Sequence, residues 1–264
     1  MEYNSNNYNE ILKALDLPTF WEGRLKSKTT KKSAHSLRML DHLGENVSGT
    51  AISHKLYSEN TNVRKHAKSI FMKFSSYDSF KFLENDFDRE FNALDEVRIH
   101  TSLVKRHNTK PLPLLMRWVN VAKNDNYKAF LISQIAFFKQ EESASDLLKL
   151  YQETNTIVVK RAVVETLGGF GYKPASSVFM EDFNYVDRSI QSAIVDSLGS
   201  IGGEDTLSFL EKLYFATENK ELLISILSTV YTIDTDKTTY NRIKAQIDSD
   251  FEKQIIGYVE LGAN

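Results

Sequence analysis

The 264-residue chain contains no cysteine. That absence excludes a disulfide framework, a thiolate-ligated metal and thiol nucleophile chemistry. It is what a reducing compartment permits, and a cytoplasmic location is the expectation. Proline and glycine are scarce, at four and eleven residues, too few for the many turns of an all-β protein. Long apolar runs are missing as well. The longest, 129–138 and 222–231, are ten residues each and are interrupted by Ser, Gln or Thr, whereas a bilayer-crossing helix needs about 20 apolar residues. The first residues, Met-Glu-Tyr-Asn-Ser-Asn-Asn, are polar and do not read as a signal peptide. There is no surplus of positive charge: 33 Lys and Arg stand against 35 Asp and Glu, for a net −2. A general nucleic-acid binder carries a basic excess to release counterions, so nucleic acid is disfavoured as a partner.

What is present is globular composition, 41% hydrophobic, 26% charged and 11% aromatic, and a repeat. Val163-Val164-Glu165-Thr166-Leu167-Gly168-Gly169-Phe170-Gly171 returns 31 residues later as Ile194-Val195-Asp196-Ser197-Leu198-Gly199-Ser200-Ile201-Gly202. Apolar positions at i, i+4, i+8 mark one helix per unit. They are Val63, Ala67, Phe71; Asp95, Ile99, Leu103; Tyr127, Leu131, Ile135; Val159, Val163, Leu167; Ile190, Ile194, Leu198; Leu222, Ile226, Val230; and Phe251, Ile255, Val259. The third members step by 32, 32, 32, 31, 32 and 29 residues. Asp95 is the one polar residue in this register.

Shorter amphipathic stretches lie between these helices: 50–58, 79–87, 112–122, 145–152, 174–182, 206–216 and 238–247. Ser143 before Asp146 and Ser249 before Glu252 resemble capping boxes, Asn62 and Asn155 are candidate caps, and Gly171 and Gly202 suit left-handed helix ends. Each unit therefore reads as helix, turn, helix, turn. One such hairpin cannot bury its own apolar face, so neighbours must stack. Residues 1–44 are expected to form an N-terminal helical cap, a degenerate first repeat, continuous with an array over 45–264 as one domain. Within the cap, short helices are expected over 9–15, 19–26 and 36–43.

The 34-residue tetratricopeptide and 33-residue ankyrin signatures are absent. The second helices instead resemble short bacterial HEAT-like repeats, whose pattern runs roughly Val-Arg-x-x-Ala-x-x-Ala-Leu-Gly. Val63-Arg64-Lys65-His66-Ala67 and Val159-Lys160-Arg161-Ala162-Val163-Val164-Glu165-Thr166-Leu167-Gly168 carry the likeness, which extends over about residues 45–262 and is weakest at 95–103. A narrower resemblance rests on Leu112-Pro113-Leu114-Leu115-Met116-Arg117-Trp118, Phe130-Leu131-Ile132 and Phe137-Phe138-Lys139-Gln140. It is to bacterial HEAT-repeat proteins that often bear an N-terminal membrane anchor and are thought to accompany membrane glycosyltransferases. No anchor is present here. Either the chain is a soluble relative, or an anchor precedes Met1 and places it at the inner face of a membrane. The resemblance implies an all-α, right-handed α-solenoid (superhelix) of seven or eight hairpins.

Candidate sites are few. Gly168-Gly169-Phe170-Gly171 follows a helix and not the strand that a phosphate-cradling loop requires, so it reads as a packing device. The six histidines, His35, His42, His54, His66, His100 and His107, show no zinc-helix spacing, and no metal or cofactor is expected. The pairs Glu141-Glu142, Glu181-Asp182 and Glu204-Asp205 sit mostly at helix starts, where they suit the helix dipole, and no Gly-x-Ser-x-Gly elbow occurs. No catalytic residue is assigned. Two surfaces remain. Arg24, Lys26, Lys28, Lys31 and Lys32 form the most basic run, with Arg38 nearby, and could meet an anionic membrane surface or remain a solvated face. Lys65, Lys68, Arg161, Glu165, Arg188, Gln191, Glu221 and Ser225 flank the apolar stripes of second helices and are expected to line an exposed concave face. Their mixed sign suits another protein, such as a membrane-bound enzyme, over a small ligand. The expected function is a non-enzymatic interaction scaffold. The alternative is a HEAT-like enzyme of the bilin-lyase or DNA-glycosylase type.

Overall fold

A computed structural model describes residues 5–27, 29–44 and 49–262. Among them there are sixteen α-helices and no strand. The chain is all-α. The helices are α1 (Ser5–Ala14), α2 (Leu17–Leu25), α3 (Thr30–Leu43), α4 (Gly49–Ser53), α5 (Thr61–Phe74), α6 (Ala93–His107), α7 (Met116–Val121) and α8 (Asp125–Phe137). They continue as α9 (Ala144–Glu153), α10 (Ile157–Gly169), α11 (Ala175–Asp182), α12 (Arg188–Ile201), α13 (Glu204–Ala216), α14 (Lys220–Ile233), α15 (Thr238–Ala245) and α16 (Asp250–Gly262). No helix among the described residues is long and apolar enough to cross a membrane.

The chain forms two compact units. One comprises Met1–Pro113 with Arg117–Lys128, and the other Leu114–Met116 with Ala129–Asn264. In the second unit α10 packs on α12, α12 on α14, and α14 on α16. The apolar register is their core: every member from Val159 to Val230 is buried, as are Ile255 and Val259. Asp196 meets Ser225 and Gly199 faces Thr229. Contacts advance together along both helices, so α12 and α14 run parallel.

The approach is close because the residues at the crossings are small. A Cβ on Gly168 would lie 2.4 Å from Ser197 Oγ and 2.7 Å from the Ser197 Cα, and a Cβ on Gly199 would lie 2.7 Å from Thr229 Cγ2. One residue before three of the third register members, Leu103, Leu167 and Leu198, a hydroxyl crosses to the preceding helix. Ser197 Oγ donates to the Val164 carbonyl at 2.9 Å and Thr166 Oγ1 to that of Ile132 at 3.4 Å. In the first unit Ser102 Oγ is 3.2 Å from the Ser69 carbonyl. A buried hydroxyl needs a partner, and here the neighbouring backbone supplies it.

Several local expectations are corrected. The 79–87 stretch is only a short 3-10 turn, Lys81–Asn85. Asp86 (φ 52°) and Phe87 (φ 62°) both turn left-handed behind it, and the Asp86 carboxylate accepts the N–H groups of Lys123 and Asn124. The cap of α5 is Asn60, which accepts Val63 N–H at 3.1 Å, and Asn62 lies inside the helix. Ser143 makes no cap bond, and its hydroxyl is buried without a partner. Asn155 is displaced by Thr156 as the residue before α10. Ser249 does accept the Glu252 N–H at 3.2 Å, and Gly171 and Gly202 are left-handed, with φ 62° and 73°.

These contacts separate two glycines. Gly168→Ala is expected to cost about 1–3 kcal/mol through overpacking, with no rescue by Ser197→Gly because the Ser197 backbone itself is in the way. Gly199→Ala should cost a similar amount but be relieved by Thr229→Ser, which removes the offending methyl. Gly169→Ala, with open space around it, should leave stability unchanged or raise it. Urea unfolding of the five variants checks the order.

Candidate partner-binding face

Six of the eight proposed face residues belong to α10, α12 and α14 in the second unit. On α10, Val158, Arg161 and Glu165 are exposed, at the i, i+3, i+7 spacing that a packed helix leaves outward. Arg161 Nε donates to Glu165 Oε1 at 2.7 Å, with both side chains about half exposed (54% and 52%), so this pair contributes shape more than stability. On α12 the outward positions are Arg188, Ser192, Asp196 and Ser200. Ser225 of α14 donates to Asp196 Oδ1 at 2.9 Å, joining the two helices at the surface.

Two open recesses lie on this face. One, of about 410 Å³, lies over α10 and α12, with Gly168 and Gly169 in its wall beside Arg161, Glu165, Ser192 and Asp196. Gly169 leaves backbone exposed beside the close approach at Gly168. The other, of about 810 Å³, is bordered by Arg188 and Gln191 of α12 and by Lys220 and Glu221 at the start of α14. Gln191 Nε2 donates to the Phe183 carbonyl at 2.9 Å, which fixes it in the wall. Cations and carboxylates alternate across both recesses. Ser189, Ser192, Asp196 and Ser200 were missed by sequence reasoning. They recur at helical spacing opposite the Leu198 register, a signal that could have found them.

Lys65 and Lys68 are corrected. Both were expected to be exposed and both are buried, at 2% and 8% accessible. For Lys65 the cause is Asp95, the one acid in the apolar register. Lys65 Nζ lies 2.5 Å from Asp95 Oδ2 and 2.5 Å from the Glu90 carbonyl, and Arg98 holds the other carboxylate oxygen at 2.8 Å. Lys68 reaches the Phe87 carbonyl at 2.6 Å and Asp88 at 3.1 Å, and burial lowers its pKa. Arg64 grips Asp88 with two bonds, of 2.8 and 2.9 Å. Burial alone would raise the Asp88 pKa, but Arg64, the Arg89 N–H and Lys68 outweigh it and hold the carboxyl at about 2.

Of the paired carboxylates, Asp182 takes a structural role. Asp182 accepts the Tyr151 hydroxyl at 2.7 Å and Lys160 at 3.0 Å, with Lys160 4.4 Å over the Tyr151 ring. Burial opposes ionisation of Asp182, and the two donors more than offset it. Glu141 and Glu142 form the turn that leads into α9, and Glu204 begins α13. All six histidines precede residue 108, so α10, α12 and α14 themselves carry none. No group of three His, Asp or Glu among the described residues could hold a metal ion. In the basic run, Arg24 ends α2 and Lys31 and Lys32 open α3, all three exposed like Lys26; Lys28 lies outside the described residues. No protein-family model matches the chain, and no curated protein matches it.

Two outcomes test the buried network. Lys65→Met should cost on the order of 3–5 kcal/mol, because it leaves Asp95 buried and short of a partner, while adding Asp95→Asn, which removes the buried charge but keeps an acceptor for Arg98, should recover part of the loss. The lowered pKa of Asp88 gives stability that is present above pH about 4 and lost as pH falls through 2. The stability gap between the protein and Asp88→Asn, measured by urea unfolding, should therefore shrink as pH drops from 5 to 2.

Proposed function

We propose that the chain is an α-solenoid of HEAT-like hairpins that serves as a non-enzymatic scaffold, receiving another protein on the second-helix face of α10, α12 and α14. The observation that carries the reading is the composition of that face. It presents short hydroxyls, exposed backbone at Gly169, and charges of both signs. Short side chains lose little entropy on ordering, and alternating charges give register and selectivity against a protein surface. The 31- and 32-residue steps of the register and the sequential packing of α10, α12, α14 and α16 support the solenoid, since stacked repeats produce such extended surfaces.

Affinity capture from the native host tests the proposal when run with paired baits. A protein recovered stoichiometrically by the parent chain should fall at least ~10-fold with Ser192→Arg or Glu221→Lys, the loss expected when a central contact is removed. It should persist with Lys149→Glu, on the exposed flank of α9. Equal recovery by all baits, or a co-purifying small molecule with no protein, would overturn the reading.

A further inference from the structure

Residues 23–40 carry six cationic side chains, Arg24, Lys26, Lys28, Lys31, Lys32 and Arg38, and no acidic one. The fold concentrates part of this charge. On α3 the exposed residues include Lys31, His35, Arg38 and His42, whose i, i+4, i+7, i+11 spacing puts them on one helical face. Lys31 and Lys32 stand in the first turn, where the helix dipole disfavours cations, so their placement does not serve the stability of α3.

An aromatic ridge adjoins this face. α2 packs on α3, and the Trp21 ring meets the His35 ring edge-on at 5.1 Å. Phe20 lies 5.1 Å from Trp21, and the Arg24 guanidinium sits 5.2 and 5.6 Å from those two ring centres. Phe20 is 49% exposed. α1, which packs on α2, leaves Ile11 exposed, and Leu15 just beyond it is exposed too. Exposed apolar groups beside a dense cationic stripe are the two halves of an interfacial membrane site.

We propose that α1–α3 dock the protein on an anionic phospholipid bilayer. Phe20 and Trp21 enter the boundary between headgroups and acyl chains, and the α3 stripe lies on the lipid phosphates. Charge complementarity selects anionic lipid, at about five-fold in partition per basic residue near the surface. The exposed aliphatics favour a bilayer over a polynucleotide, which offers them no apolar layer, and the chain's net charge of −2 works against a long polyanion. The site shares no residue with the α10–α14 face and does not depend on the scaffold reading.

Vesicle co-sedimentation of the full chain tests this. The protein should pellet with vesicles of phosphatidylcholine and phosphatidylserine and remain in solution with phosphatidylcholine alone. Arg24→Glu with Lys31→Glu and Arg38→Glu, all exposed positions, should lower partition by more than ~100-fold while circular dichroism stays unchanged. Phe20→Ser should weaken binding without abolishing its salt dependence. Trp118 is 3% exposed, so a blue shift of tryptophan emission on vesicles should come from Trp21 and survive Trp118→Phe. Failure to pellet with the anionic vesicles, or full binding by the charge-reversed variant, would overturn the proposal. So would tighter binding to a single-stranded oligonucleotide than to those vesicles.

Discussion

Between Gly168 and Ser197 there is no room for a methyl group. Everything characteristic of residues 129–264 follows from that spacing and its repetition at Gly199 and Thr229. Helices brought this close bury their i, i+4, i+8 stripes completely, which explains why the register is so regular. They also bring a hydroxyl within reach of a foreign backbone carbonyl, as at Ser197 and Val164. Glycine inside a helix costs about 0.5–1 kcal/mol relative to alanine. The cost is offset because the alternative, a side chain between two helices, would open the core along its length.

The first unit meets the same requirement in a different way. Asp95 occupies a position that elsewhere holds Tyr, Val, Ile, Leu or Phe, and its charge draws Lys65 and Arg98 inward. Arg64 and Lys68 close on Asp88 beside it. Buried ionic groups of this kind are tolerated only when every member is paired. Their presence removes from the surface two lysines that a uniform repeat would have left outward. The exposed cations of that unit then stand out on α2 and α3, while mixed charges lie on α10–α14 in the other. Each unit carries its own candidate surface, of different chemistry.

Much of the helical layout was legible because a 3.6-residue period and a 32-residue period reinforce each other. The buried set from Val159 to Val230, with Ile255 and Val259, could be named from spacing alone, though Phe251 in the same register is only half-buried, and the reason for Gly168 could be named too. Caps were less legible. Asn60 and Asn62 are equivalent by residue type, and only backbone geometry decides between them. The 81–85 turn was misread as a helix since its amphipathic spacing hides two consecutive left-handed residues. On the face, Arg161, Glu165, Arg188, Gln191, Glu221 and Ser225 followed from their positions beside an apolar stripe. Lys65 and Lys68 failed by the same rule because it assumes that nothing inside the core attracts a cation. Aromatic and basic groups of α2 and α3 are separated in sequence, and packing is what joins them.

The central claim is that second helices stack side by side, parallel, one repeat apart. A chain without cysteine allows a direct measurement of that arrangement. Asp196→Cys with Ser225→Cys, whose parent side chains touch at 2.9 Å, should crosslink readily with a short bifunctional thiol reagent, as read by peptide mass mapping. Arg161→Cys with Ser225→Cys places the thiols on α10 and α14, with α12 between them, and should stay unlinked under the same conditions. Equal linking of both pairs, or linking of the second alone, would contradict the account.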